Sequence, residues 1–187
     1  MLHFRAPTPA PMRSLALAAA VLLFACSKDR PTVTITVKKS DIQQRLDAKF
    51  PVTKSKFLSD VTLKNPRVVL EDGSDTIGMD LDVEVAVPVL GKFTGSLRAS
   101  GKISYKFEDK AFYLLEPSVE QITIDGLPED KLEKARKPIE VVAGNYLRTH
   151  PVYEFQGRNL KELTAEYVLR SVLVESGELK AVIAPPF

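Results

Sequence analysis

Residues 76–89, TIGMDLDVEVAVPV, decide the fold. Ile77, Met79, Leu81, Val83, Val85, Val87 and Val89 fall on one side of an extended chain. Asp80, Asp82 and Glu84 fall on the other, joined by Ala86 and Pro88. Alternation with period two is the pattern of a strand with one buried and one solvated face. Leu90-Gly91 turns the chain, and residues 93–107 repeat the pattern. Phe93, Leu97, Ala99, Ile103, Tyr105 and Phe107 then oppose Thr94, Ser96, Arg98, Ser100, Lys102, Ser104 and Lys106. A third strand follows the Glu108-Asp109-Lys110 turn. It runs over residues 112–115 and resumes at 119–124, with Pro117 marking a break in register. Strands of about 13 to 15 residues far exceed the usual 5–6, and strands this long twist and coil strongly. Gly95 and Gly101 sit on the apolar face, where a missing side chain permits a bend or a close approach.

The flanking segments complete an α+β domain over residues 32–187. Val33, Ile35 and Val37 alternate as a strand. Ser40-Asp41 reads as the N-cap of a short helix to about Lys49, with Ile42, Leu46 and Phe50 inward. A strand beginning at Val61 and Leu63 runs past Pro66 through residues 68–70, and Pro66 predicts a bulge or an edge. Residues 71–75, EDGSD, form a turn. The main helix is expected near residues 128–149. Its stripe of Leu132, Ala135, Ile139, Val142 and Tyr146 is interrupted by Pro138, which should kink or split it. His150-Pro151 closes that helix, and residues 152–155 read as a brief strand. Residues 159–169 fit a further helix with Leu160, Leu163, Tyr167 and Val168 inward. Residues 171–183 close the chain as a hairpin with its turn at Ser176-Gly177. The expected architecture is one strongly curved antiparallel sheet wrapped on the main helix.

Upstream lies an address label. Met12-Arg13 precedes eleven apolar residues at positions 15–25, and Cys26, the chain's one cysteine, follows them. A basic start, a short apolar run and a small residue before the cut make an export signal. Eleven residues cannot span a hydrocarbon core, which needs about 20. Residues 1–11 are Pro-rich and unlike a signal, so Met12 is a second candidate start. Leu23-Phe24-Ala25-Cys26 resembles a bacterial lipobox, which implies cleavage after Ala25 and a diacylglyceryl anchor on Cys26. Ser27 after the cysteine then implies the periplasmic face of the Gram-negative outer membrane. Residues 26–31 form the tether. Downstream of Cys26 the chain carries 24 basic and 24 acidic side chains. That neutral balance provides no footprint for nucleic acid and predicts no polybasic patch for anionic lipid.

Candidate chemistry is sparse. Asp80, Asp82 and Glu84 share a strand face but lie about 6.6–7 Å apart, so they read as a solvated face and not a cation site. Residues 71–75 lack the spacing of a calcium loop. His150, the single histidine after Cys26, has no second histidine or cysteine to complete a zinc site and belongs to no Ser-His-Asp set. It suits the helix C-terminus, where a cation complements the dipole. No cofactor, metal or catalytic residue is assigned, and no enzymatic activity is expected.

The layout resembles the YceB-like family of bacterial lipoproteins. It is carried by the lipobox, Lys49-Phe50-Pro51-Val52, the long-stranded meander, His150-Pro151-Val152-Tyr153 and the closing hairpin of residues 171–183. The resemblance implies a sheet around a long helix, similar to tubular lipid-binding domains, which hold acyl chains between the two. The expected function is therefore binding of a lipid or other elongated apolar ligand. Val83, Val85, Val87, Leu97, Ile103, Tyr105, Ile139, Val142 and Tyr146 are the candidate lining residues. The competing expectation is a non-catalytic envelope scaffold whose same residues fill an ordinary core.

Overall fold

The computed structural model describes residues 32–156 and 167–186. Six strands form the main antiparallel sheet in the order β2-β3-β4-β5-β6-β7. They are β2 (Val52–Lys56), β3 (Ser59–Val69), β4 (Thr76–Val87), β5 (Gly91–Lys106), β6 (Ala111–Ile124) and β7 (Tyr153–Glu154). Helix α1 (Lys39–Asp47) precedes this sheet, and α2 (Leu132–Thr149) falls between β6 and β7. Strand β1 (Val33–Lys38) joins the hairpin β8 (Val168–Glu175) and β9 (Glu178–Ala184) in a separate sheet, ordered β1-β9-β8.

The alternation of residues 77–87 is realised without exception. Ile77, Met79, Leu81, Val83, Val85 and Val87 are buried, and the residues between them are half-buried. Both proline signals also correspond to structure. The β3–β4 register shifts between Lys64 and Arg67, on either side of Pro66. The β5–β6 register shifts at Ser100/Lys102, opposite Glu116 and Pro117. At the β3 bulge the freed backbone groups go to α1, where Val68 N–H donates to Gln43 Oε1 at 2.9 Å and Gln43 Nε2 donates to the Pro66 carbonyl. A buried bulge needs such partners, because an unpaired peptide group away from water is costly.

Several expectations are corrected. The main sheet is open, ending at β2 and β7, and is not strongly curled. Its long strands are relieved by three register shifts, at Lys64/Arg67, Arg98/Ala99 and Ser100/Lys102, and do not close on themselves. The N- and C-terminal strands form their own sheet. It docks through the residue 71–75 turn: Gly73 N–H donates to the Val174 carbonyl, Val174 N–H to the Ser74 carbonyl, and Gly177 N–H to Asp72 Oδ1. Ser40 does not cap α1. It lies inside the first turn, and its hydroxyl donates to Asp41. Helix α2 is not split at Pro138. Pro138 lacks the N–H that would have served the Lys134 carbonyl, yet the helix runs through it and buries the proline. Val89 leaves the apolar face, because β4 ends at Val87 and Val89 is fully exposed. The helix expected over residues 159–169 falls largely outside the described residues, and Val168 and Leu169 belong to β8.

The outer face carries the carboxylates in cross-strand ion pairs. Arg98 Nε reaches Asp80 at 2.7 Å, Arg67 Nη2 reaches Asp82 at 3.0 Å, and Lys64 and Lys92 flank Glu84, each at 3.5 Å. The hydrogen bond from Arg98 holds the Asp80 carboxyl below its ordinary value of 3.8, and those from Asn65 and Arg67 do the same for Asp82. A depressed carboxyl pKa means that the unfolded chain binds more protons in that range. The contribution to stability is therefore present above about pH 4 and is lost as pH falls through the folded values. Asp80→Asn should lower stability at neutral pH by about 0.5 kcal/mol, as expected for a solvated pair. Urea midpoints of variant and native protein should converge as pH drops toward about 2. A gap that persists at low pH would remove the ion pair from the explanation.

Candidate functional site

Helix α2 packs chiefly on β6, with further contacts to β2, β3 and β4. Its amphipathic spacing buries Ala135, Ile139, Val142, Ala143, Tyr146 and Leu147. The edge strand β2, Val-Thr-Lys-Ser-Lys, has a half-buried Val52 and is otherwise exposed, as suits an edge guarded by lysines. Between this edge and the outer flank of α2 runs a groove of about 670 Å³. Val141, Val142 and Tyr146 supply its apolar wall. Lys54 and Lys56 come from β2, and Glu140, Asn145 and Arg148 from α2. Gly144 also lines it, and a Cβ added there would meet nothing within 4 Å.

Its upper end is fixed by the two short stretches that carry the family resemblance. Lys49 Nζ meets Glu154 at 2.6 Å and donates to the Pro151 carbonyl at 3.1 Å. Phe50 packs edge-on against Tyr146, with ring centroids 5.3 Å apart. His150 stacks on the Tyr146 ring at 4.0 Å, and its Nδ1 lies 3.0 Å from the Tyr146 carbonyl. A carbonyl can only accept, so Nδ1 donates and the ring is held at the helix end. Burial pushes the Tyr146 phenol above its ordinary value, so it stays protonated across the neutral range. Lys54 and Arg148 have no ion-pair partner within 4.0 Å among the described residues, and with Lys56 they outnumber Glu140, which leaves the groove rim with a net positive charge.

Eight of the nine candidate lining residues belong to the buried core, and three of those also border a surface hollow. Val142 and Tyr146 border the groove, and Val87 borders hollows at its lower end, near the β4–β5 turn. Val83, Val85, Leu97, Ile103 and Ile139 are buried in the core shared by sheet and helix. Tyr105 is half-buried against that core, with Phe112 and Phe155 edge-on at 5.8 and 5.9 Å. Its hydroxyl is buried without a hydrogen-bond partner among the described residues. Reading the sequence missed Lys54, Lys56, Val141, Gly144 and Arg148. Val141 and Gly144 lay beside the predicted helix stripe, and that adjacency was the available signal.

Cys26 and the segment before it lie outside the described residues. Among the described residues no helix is long and apolar enough to cross a membrane. The groove offers binding chemistry: an apolar wall for a chain, a cationic rim for an anionic group, and the room at Gly144. A search among curated proteins finds no match. A family model matches residues 37–178, from the end of β1 to the start of β9, and the chain belongs to that family, described as "Protein of unknown function (DUF1439)".

Proposed function

We propose that the protein is a non-catalytic lipoprotein of the bacterial envelope that holds an acyl chain, or a similar amphiphile with an anionic head, in the groove between β2 and α2. The observation that carries this reading is the groove's division into an apolar wall of Val141, Val142 and Tyr146 and a cationic rim of Lys54, Lys56 and Arg148. At about 670 Å³ it falls within the range of small-molecule sites, roughly 300–1,000 Å³. The YceB-like resemblance supports the same reading, since tubular lipid-binding domains also hold ligand between sheet and helix. The site differs from the sequence-based expectation in using the outer flank of α2 and not the apolar faces of β4 and β5.

Cys26 is the proposed anchor, acylated and held at the periplasmic face of the outer membrane. Acyl chains contribute about 0.8 kcal/mol per buried CH₂, so two or more give stable attachment. Cys26→Ser should move the protein from the membrane fraction to the soluble fraction. Retention in the outer membrane would refute the anchor. For the groove, protein purified from membranes should release a stoichiometric anionic lipid in denaturing mass spectrometry. Protein that carries no lipid and takes up no fluorescent fatty acid would leave the scaffold reading in place.

A further inference from the structure

At one end of the main sheet the β2–β3 and β4–β5 connections stand side by side. Leu58 and Val89 line one hollow between them, and Phe57, Leu58 and Pro88 line a second with the first turns of α2. These connections present large apolar side chains to solvent. Phe57 is 57% exposed, Leu58 92% and Val89 105%. The backbone beneath them is in the left-handed region, with φ of 52° at Phe57, 64° at Leu58 and 69° at Val89. Tight hairpin turns that need positive φ normally use Asn and Gly. A β-branched residue such as valine rarely adopts it. Two adjacent tips therefore combine an unfavourable conformation with unfavourable exposure, and core packing compensates for neither.

The surrounding charge indicates the occupant. Lys56, Lys92, Lys134 and Lys137 fringe the tips, against Asp60 and Glu133. Asp60 accepts a hydrogen bond from Ser55, and Lys92 is shared with Glu84. Lys134 and Lys137 have no ion-pair partner within 4.0 Å among the described residues. Lysine is depleted from protein–protein interfaces. It is suited to the edge of a membrane, where its stem lies along apolar surface and its ammonium reaches the headgroups. Three separate segments bring these four lysines together, where they outnumber Asp60 and Glu133.

We propose that this end of the sheet docks into the surface of an anionic bilayer, with Phe57, Leu58 and Val89 at the acyl boundary and the lysines at the phosphates. This goes beyond ligand binding and stands whether or not the β2–α2 groove is occupied. The chain contains no tryptophan, so a single introduced one reports its own site. Full-length Leu58→Trp and Val89→Trp would be mixed with phosphatidylglycerol/phosphatidylcholine vesicles carrying brominated acyl chains. Leu173→Trp, exposed on β8 of the other sheet, is the control.

For both tip variants the emission should shift to the blue and fall at least about two-fold, as expected for immersion at the acyl boundary. Pure phosphatidylcholine and high salt should weaken the effect, and Leu173→Trp should not respond. Tip quenching no greater than that of the control overturns the proposal. Equal quenching on neutral and anionic vesicles overturns its electrostatic part. A blue shift that grows with protein concentration in the absence of vesicles also overturns it, because a second copy then covers the tips.

Discussion

Gly95→Ala should lower the thermal midpoint by roughly 10 °C, the largest stability loss expected from removing so little space. A Cβ at Gly95 would lie 1.9 Å from the Thr123 carbonyl oxygen, 2.9 Å from its carbon and 3.0 Å from Ile124 Cα. All three are backbone atoms of β6, the strand paired with Gly95 through Ile124. A side chain in the way could rotate, but a ladder cannot. Thr94 accepts from Asp125 N–H at 2.8 Å, so the pairing is tight on both sides of the contact. The methyl group must either separate β5 from β6 or bend β5 away from the core. Overpacking of this kind costs typically 1–3 kcal/mol, and contact with backbone places it at the upper end, about 3 kcal/mol. For a domain of this size each kcal/mol shifts the midpoint by about 2–4 °C. Gly101→Ala provides the comparison, because its nearest atoms, Leu114 Cβ at 3.2 Å, the Leu115 carbonyl oxygen at 3.3 Å and Pro117 Cα at 3.4 Å, need to give way far less than the Thr123 carbonyl at Gly95. Thermal unfolding by circular dichroism should rank Gly95→Ala well below Gly101→Ala. Equal midpoints would mean that β6 yields at Thr123.

The main sheet shows what the sequence makes legible. The inward face of β4, the bulge at Pro66 and the break at Pro117 follow from alternation and from proline's missing donor, which are local properties. Close approach at Gly95 was also readable, although it comes from the neighbouring strand and not from a layer above. Strand β2 was not readable, because Val52-Thr-Lys-Ser-Lys buries only part of one residue and so has no period. Val89 misled for the opposite reason: alternation in the residue string continues two positions past the last paired residue. The β1–β9 partnership was hidden too. Both strands were recognisable, but which of two sheets a strand joins depends on contacts about 145 residues apart. For the groove, Val142 and Tyr146 belonged to a helix stripe that pattern alone reveals. The cationic rim did not, since Lys54 and Arg148 are neighbours only in the fold and a zero net charge conceals a local excess.

Gly144→Trp should abolish uptake of a fluorescent fatty acid, with an affinity loss of at least about 100-fold, while leaving the fold intact. The argument rests on a helix position whose side-chain direction is empty. A Cβ at Gly144 meets nothing within 4 Å, and the residue lines the groove between Lys54–Lys56 and α2. An indole there occupies the space the acyl chain would need, beside Val141 and Tyr146, and displaces no core atom. Losing the proposed site forfeits burial at about 25 cal/mol per Å² of apolar surface. About 110 Å² of lost contact already corresponds to 100-fold, since 1.4 kcal/mol is a factor of ten. Gly144→Ala separates blocking from damage. Glycine inside a helix costs about 0.5–1 kcal/mol relative to alanine, so that variant should melt slightly higher than the native protein while still binding. If Gly144→Trp binds as well as Gly144→Ala, the acyl chain does not lie between β2 and α2. If both variants lose binding yet melt at or above the native temperature, the glycine serves the site through backbone freedom and not through space. The informative result is the divergence of the two variants: binding lost with the large side chain alone, at undiminished stability.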